Sequence, residues 1–135
     1  AATNLINLGI EIIPTGYLHI DGGKKSDVEK VSLEKPIPSE NIELILSYAN
    51  LSHLLGFKYL YLEAGSGALT KISPELIREI TKQSDIDIIV GGGITTRDDI
   101  NYYRDSGVSM VVIGNMLESE MNIKKIKHAT NITFR

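Results

Sequence analysis

The sequence YLEAGSGA occupies residues 61–68. It begins as an apolar strand that carries a tyrosine and a glutamate, and it ends in small residues that cannot build a hydrophobic core. Side chains two positions apart on a strand point to the same face, so we expect Tyr61 and Glu63 to point the same way. An apolar strand followed by glycine recurs in IIVGGGITT, residues 88–96, and in MVVIGN, residues 110–115. The chain is therefore predicted to contain three strands that end in glycine-rich turns.

Strand and helix patterns alternate along the rest of the chain. Apolar runs rich in β-branched residues predict strands at residues 10–20, where Pro14 breaks the signal, and at 57–62, 85–90 and 109–114. Helical spacing of apolar residues predicts helices at 42–55, 73–83, 96–107 and 118–127, after an opening segment that reads as the end of a helix stopped by Gly9. Ser39, Ser73 and Thr96 are the predicted N-caps. The long polar loop at 21–38, with a short strand expected around VEKVS, is typical of a functional loop.

The strands are short and almost uniformly apolar, which indicates burial on both faces and therefore a parallel sheet covered by helices. Two architectures fit this pattern. One is a doubly wound open sheet, and the other is half of a (β/α)8 barrel, a fold of about 250 residues. Four strand–helix units in 135 residues fit half of such a barrel. Both architectures are α/β folds, the second of the (β/α)8 TIM-barrel type, and we expect residues 1–135 to form a single domain.

The composition excludes several classes of protein. The chain has 42% hydrophobic residues, 23% charged residues and a formal net charge of −3, without a basic block long enough to predict nucleic-acid binding. It has no cysteine, which excludes disulfides and thiolate chemistry and is compatible with the cytoplasmic location that we expect. No apolar run approaches the roughly 18 residues of a membrane span. The opening residues, which lack a methionine, suggest that the natural start lies upstream.

The glycine clusters are candidates for a phosphate site. Ligands bind at the carboxyl ends of the strands in both candidate architectures. Glycine allows positive φ and close approach of the backbone, so successive N–H groups can converge on an oxyanion. The N–H groups at the start of the helix after GGGITT are expected to add to this field. The alternative is that the glycines only form tight turns, and neither a Walker nor a dinucleotide-binding motif is present.

Glu63 is the candidate catalytic residue. A carboxylate beside a phosphate cradle would repel the anion unless it served a neighbouring part of the ligand, such as a hydroxylated carbon. Glu63 could accept that hydroxyl's hydrogen bond, and Tyr61 could orient it. The alternative is a structural carboxylate that backbone or lysine donors satisfy. The three histidines form no cluster in the sequence, so no metal set is predicted.

The stretches IEIIPTGYLHIDGG, KPIP, KYLYLEAGSGA, IIVGGGITT and VVIGN resemble the geranylgeranylglyceryl phosphate synthase family, which includes PcrB-like prenyltransferases, in order and approximate spacing. The resemblance covers nearly the whole chain and implies strands five to eight of a (β/α)8 barrel. It implies transfer of a geranylgeranyl group from geranylgeranyl diphosphate to sn-glycerol 1-phosphate with the help of Mg²⁺. Glu63 would be catalytic, and the substrate site would comprise Tyr61, Leu62, Glu63, Ala64, Gly65, Ser66, Gly67, Gly92, Gly93, Gly114 and Asn115.

The chain departs from the family pattern in length. Family members begin with four further strands, and the Mg²⁺ ligands lie on that missing half, so no metal ligand is predicted here. One alternative function is a non-catalytic phosphate-binding half-barrel module. Another is a different phosphosugar barrel enzyme, a class that often uses a lysine on a strand as acid or base. Lys58 counts against this alternative, because it stands at the start of its strand and so at the wrong end of the barrel. Unpaired strand edges favour association, and we expect a homo-oligomer.

Overall fold

The computed structural model describes residues 2–25 and 34–114. Helices and strands alternate as predicted, in the order α1 (Ala2–Asn7), β1 (Thr15–His19), α2 (Ile42–Leu54), β2 (Tyr59–Glu63), α3 (Pro74–Gln83), β3 (Asp87–Gly91), α4 (Arg97–Tyr102) and β4 (Val108–Val112). The short strand expected around VEKVS and the helix expected at 118–127 lie outside the described residues. None of the helices within the described ranges has both the length and the apolar character that crossing a membrane requires.

The four strands form one parallel sheet in the order β1-β2-β3-β4. Tyr17 of β1 is in register with Tyr61 of β2, and Tyr61 is in register with Ile89 of β3. A doubly wound sheet reverses its strand order at a switch point, whereas a barrel adds each strand beside the previous one. The sequential order therefore confirms the half-barrel alternative over the open doubly wound sheet.

The two faces of the sheet differ in character. Leu60 and Leu62 of β2 and Ile88 and Val90 of β3 are completely buried and form one hydrophobic core with apolar residues of the helices. Tyr59, Tyr61 and Glu63 alternate with them on β2 and are only half-buried. Because strand side chains alternate between faces, the helices cover one face, and the tyrosine–glutamate pair lies on the other.

The helix caps follow the prediction at two of three positions. Ser73 caps α3, with its hydroxyl accepting from the Leu76 N–H at 3.1 Å, and Pro74 occupies the first turn. Thr96 and Asp99 form a capping box at the start of α4. The prediction of Ser39 as the cap of α2 is wrong, because the side chain of Asn41 accepts from the Leu44 N–H instead.

The first strand begins at Thr15, directly after the break predicted at Pro14. Pro14 marks the boundary because it has no N–H to donate to a strand ladder. Its carbonyl still accepts from the N–H of Lys58 at 2.9 Å, which aligns the start of β1 with the segment that leads into β2.

Candidate functional site

A cavity of about 120 Å³ opens at the carboxyl ends of β2, β3 and β4. It is lined by Tyr61, Glu63, Ser66, Gly92, Gly93, Ile94, Val112 and Gly114. Six of these eight residues are predicted site residues, drawn from all three glycine-rich segments. Parallel strands bring their carboxyl ends to one edge of the sheet, so the fold unites segments that are far apart in the sequence.

Glu63 is held from both sides of its carboxylate. The hydroxyl of Tyr61 donates a hydrogen bond to Oε2, and the N–H of Gly65 donates to Oε1 at 2.8 Å. An ionised carboxylate offers about four acceptor positions. Each oxygen of Glu63 therefore retains the capacity to accept a hydrogen bond from a hydroxyl of a ligand in the cavity.

Tyr61 is fixed in turn by its neighbour on β1. The rings of Tyr17 and Tyr61 meet edge to face, with centroids 5.3 Å apart and planes at 89°. Burial raises the pKa of Tyr61 well above its ordinary value, and the hydrogen bond to Glu63 and the charge of Glu63 raise it further. Burial and the charge of Glu63 also raise the pKa of Tyr17. Tyr61 therefore stays protonated at neutral pH and acts toward Glu63 as a donor.

The glycine turns after β2 and β3 pack directly against each other. Gly92 and Gly93 have φ values of +92° and +67°, which side chains disfavour. A Cβ atom on Gly92 would lie 2.8 Å from the backbone N of Gly65, and one on Gly93 would lie 2.8 Å from the carbonyl oxygen of Ala68. The two turns thus approach at backbone distance, which explains why the sequence has glycine there.

Gly91, the last residue of β3, packs against Tyr61 and Glu63 and was not among the predicted site residues. Its register partner on β2 is Glu63. A Cβ atom at this position would lie 2.7 Å from Oε2 of Glu63 and 2.9 Å from Cε2 of Tyr61. The hydrogen-bonded pair therefore occupies the space that a side chain at position 91 would need. The first glycine of the GGG run was the available signal.

The remaining predicted residues are placed differently. Leu62 and Ala64 are buried in the hydrophobic core, so only their backbone atoms could serve a ligand. Gly65 and Gly67 shape the turn after β2, with φ values of +94° and +68°, and do not line the cavity. Asn115 lies outside the described residues.

The capping box of α4 occupies some of the backbone donors near the cavity. The N–H groups of Thr95 and Thr96 both donate to Oδ2 of Asp99 at 2.8 Å, and the N–H of Asp99 donates to the Thr96 hydroxyl at 3.1 Å. These three N–H groups therefore already have acceptors within the protein. The expected contribution of the other N–H groups at the start of α4 to an anion site stays a prediction.

The described residues offer no metal centre. Within residues 2–25 and 34–114, no three histidine, cysteine, aspartate or glutamate side chains lie close enough together to hold a metal ion. His19 ends β1 and His53 lies in α2, so the sheet and helix keep them on separate elements.

Comparison with known proteins identifies the family of this chain. A family model described as the PcrB family matches residues 1–130. The chain belongs to the PcrB family. The family resemblance of the sequence motifs is thereby confirmed. A geranylgeranylglyceryl phosphate synthase from Zunongwangia profunda is 45% identical over 119 residues, which cover 88% of this chain and 51% of that protein. One from Korarchaeum cryptofilum is 35% identical over 118 residues, covering 87% and 48%.

The PcrB fold is also found among solved structures. The (S)-3-O-geranylgeranylglyceryl phosphate synthase from Thermoplasma acidophilum, solved in complex with sn-glycerol-1-phosphate, superposes with a TM-score of 0.86 at 32% identity. The superposition covers 97% of this chain and 53% of that one. The solved geranylgeranylglyceryl phosphate synthases similar to this chain are TIM-barrel enzymes, which confirms the predicted fold class. This PcrB chain spans about half the length of the curated relatives it matches.

Proposed function

We propose that this chain supplies the acceptor-binding half of a geranylgeranylglyceryl phosphate synthase. The complete enzyme would transfer a geranylgeranyl group from geranylgeranyl diphosphate to sn-glycerol 1-phosphate. The observation that carries the proposal is the Tyr61–Glu63 pair facing the glycine turns of β3 and β4 across one small cavity. A fixed carboxylate beside exposed backbone suits a ligand that has hydroxyl groups at one end and a phosphate at the other. Family membership supports the same acceptor.

The phosphate of the acceptor is assigned to the backbone of Gly92, Gly93, Gly114 and Asn115. Gly92 and Gly93 line the cavity, and their positive φ values turn the backbone in a way that other residues disfavour. Among the described residues, nothing lies within 4 Å of a Cβ atom built on Gly114, so these residues leave room for a ligand there. Ser66 also lines the cavity.

Glu63 then binds the glycerol hydroxyls of the acceptor and accepts a proton from one of them. In the reaction, a hydroxyl oxygen of the acceptor forms a bond to the allylic carbon of the prenyl donor, the carbon–oxygen bond to diphosphate breaks, and diphosphate leaves. The hydroxyl proton passes to Glu63. Tyr61 and Gly65 hold the carboxylate still while this occurs, because each already donates to one of its oxygens.

The described residues do not form a Mg²⁺ site, and the family resemblance predicts the ligands of this ion on the half of the enzyme that this chain does not span. The same holds for most of the prenyl groove. The homo-oligomer and the cytoplasmic location remain predictions.

A phosphate-binding half-barrel without catalysis is the second candidate, because the chain spans only half the length of its relatives. Another phosphosugar barrel enzyme has less support. Lys58, the lysine next to β2, precedes that strand and so lies at the end of the sheet opposite the cavity.

A hybrid protein tests the proposal. This chain would replace the matching half of the Zunongwangia profunda relative, and prenyl transfer from geranylgeranyl diphosphate would be measured with sn-glycerol 1-phosphate. Transfer by the hybrid supports the synthase. A folded hybrid that binds the acceptor without transferring a prenyl group would favour the binding module instead.

A further inference from the structure

Lys71 and Asp99 connect the loop after β2 to the start of α4. Nζ of Lys71 lies 2.6 Å from Oδ1 of Asp99, and the two side chains are 35% and 12% exposed. The other oxygen of Asp99 accepts from the backbone of Thr95 and Thr96, directly after the glycine turn of β3. One carboxylate is therefore bonded to both of the loops that form the cavity.

Further contacts between the same segments restrict their relative movement. The buried hydroxyl of Tyr103 donates to the carbonyl of Ile72 at 3.1 Å, and the Lys71 ammonium lies 5.9 Å from the centre of the Tyr102 ring. Nearer the cavity, Gly93 approaches the backbone of Ala68 so closely that a Cβ atom would not fit. A displacement of one loop would therefore displace the other.

A capping box alone accounts for only part of this arrangement. It explains the bonds between Asp99 and Thr96, which satisfy the first N–H groups of α4. It does not require a lysine from another loop on the second carboxylate oxygen. A partly exposed ion pair contributes little to global stability, so its effect should be local.

We propose that the Lys71–Asp99 pair is a positioning device that holds the Gly92–Gly93 turn against the Gly65–Gly67 turn and so sets the width of the acceptor cavity. Neither side chain lines the cavity, so both act through the loops that they connect. The inference rests on the proposed function for the identity of the ligand. The connection between the loops stands on the geometry alone.

The test uses the full 135-residue chain labelled with ¹⁵N. Lys71→Met removes the ion pair, Lys71→Arg retains the charge, and Asp99→Asn provides a second way to weaken the pair. Lys82→Met is the matched control, because Lys82 makes an equally short ion pair of 2.6 Å with Glu79 within α3, away from the cavity.

The measurements are the amide resonances of Gly92 and Gly93, hydrogen exchange at Thr95 and Thr96, and the dissociation constant for sn-glycerol 1-phosphate. Lys71→Met should shift the glycine resonances, speed exchange and weaken binding by about two- to fivefold, the range open to a partly exposed ion pair. Lys71→Arg should restore all three, and Lys82→Met should change none of them.

Unchanged Gly92 and Gly93 resonances in Lys71→Met, or an equal effect of Lys82→Met, would overturn the inference. Failure of the parent chain to bind sn-glycerol 1-phosphate would count against the proposed function instead. In that case the glycine resonances and the exchange rates still decide whether Lys71 and Asp99 position the turn.

Discussion

The phenolic O–H of Tyr61 donates a hydrogen bond to Oε2 of Glu63, two residues further along the same strand. Side chains at this spacing share a face of the sheet, and here that face looks away from the helix-covered core and into the cavity. Gly65 completes the arrangement from the turn that follows. Gly65 thus contacts the Glu63 carboxylate directly, whereas Gly92 and Gly93 line the cavity together with Glu63.

Glu63→Gln should lower both acceptor affinity and turnover. An amide has one oxygen where the carboxylate has two, so either the Tyr61 hydroxyl or the Gly65 N–H loses its acceptor, and the proton acceptor of the reaction is lost. A missing general base predicts a turnover about 10²- to 10⁴-fold lower at saturating acceptor. Prenyl transfer by the hybrid with the Zunongwangia profunda half, at varied acceptor concentration, measures both quantities.

Tyr61→Phe is the companion variant, because it keeps the ring against Tyr17 and removes only the hydroxyl. Its effect should be smaller than that of Glu63→Gln. Parental turnover together with parental acceptor affinity in Glu63→Gln would make Glu63 a structural carboxylate.

Gly93→Val should abolish most binding of sn-glycerol 1-phosphate. Its side chain would start 2.8 Å from the carbonyl oxygen of Ala68 and would force the turn away from the cavity, on a backbone with φ of +67°. Gly56→Val controls for backbone strain, because Gly56 has φ of +75° with open space around it and lies away from the cavity. Both variants should lose about 1–3 kcal/mol of stability. Calorimetry should show loss of affinity in Gly93→Val alone, and equal affinities would refute the assignment.

The sequence predicted the alternation of elements and most of the residues that line the cavity, because strand patterns and glycine positions are local signals. Ser73 and Thr96 could be assigned as caps from neighbouring residues alone. Contacts between distant segments could not be predicted in this way. The closeness of Gly91 to Tyr61 depends on strand register, and the ion pair of Lys71 with Asp99 depends on how two loops pack.

The same limit explains the error at the start of α2. Ser39 and Asn41 both carry side chains that can cap a helix, and only the folded structure shows that Asn41 accepts from the N–H of Leu44.

Asp99 should make stability depend on pH in the acid range. Burial alone would raise its pKa, but the hydrogen bonds from Lys71, Thr95 and Thr96 outweigh burial and hold the pKa well below the ordinary 3.8. A depressed carboxyl pKa stabilises the folded state above the unfolded value and loses that contribution as pH falls below it. The stability difference between the parent and Asp99→Asn should therefore be constant near neutral pH and shrink below about pH 4.

Denaturant unfolding at pH 7 and at pH 3 measures this difference. Asp98→Asn serves as the control, since Asp98 is the exposed neighbour in the first turn of the same helix. A parent–Asp99→Asn difference that does not shrink at pH 3, or one that Asp98→Asn reproduces, would contradict the role of Asp99.

The isolated chain should associate or be only marginally stable. Within the described residues, β1 pairs with no strand except β2, and β4 with none except β3. The outer edge of β1 is bonded only at its end, where the N–H of Ile37 donates to the carbonyl of His19. Apolar side chains are also exposed in a stripe at helical spacing along α2 and its C-cap, namely Leu44, Tyr48, Leu51 and Leu55. Open edges and apolar stripes recruit partners. Sedimentation velocity over a range of concentrations should show self-association, and a compact monomer that unfolds cooperatively would count against a half-barrel.

Titration of the ¹⁵N-labelled chain with sn-glycerol 1-phosphate, with the mirror-image sn-glycerol 3-phosphate as the control, tests most directly whether this cavity is an acceptor site. The amide resonances of Gly65, Gly92 and Gly93 should shift in a saturable way, and the sn-1 compound should bind more tightly than its mirror image. Absence of shifts at these glycines, or shifts confined to the lysine-lined surface at Lys24, Lys25 and Lys35, would contradict the account.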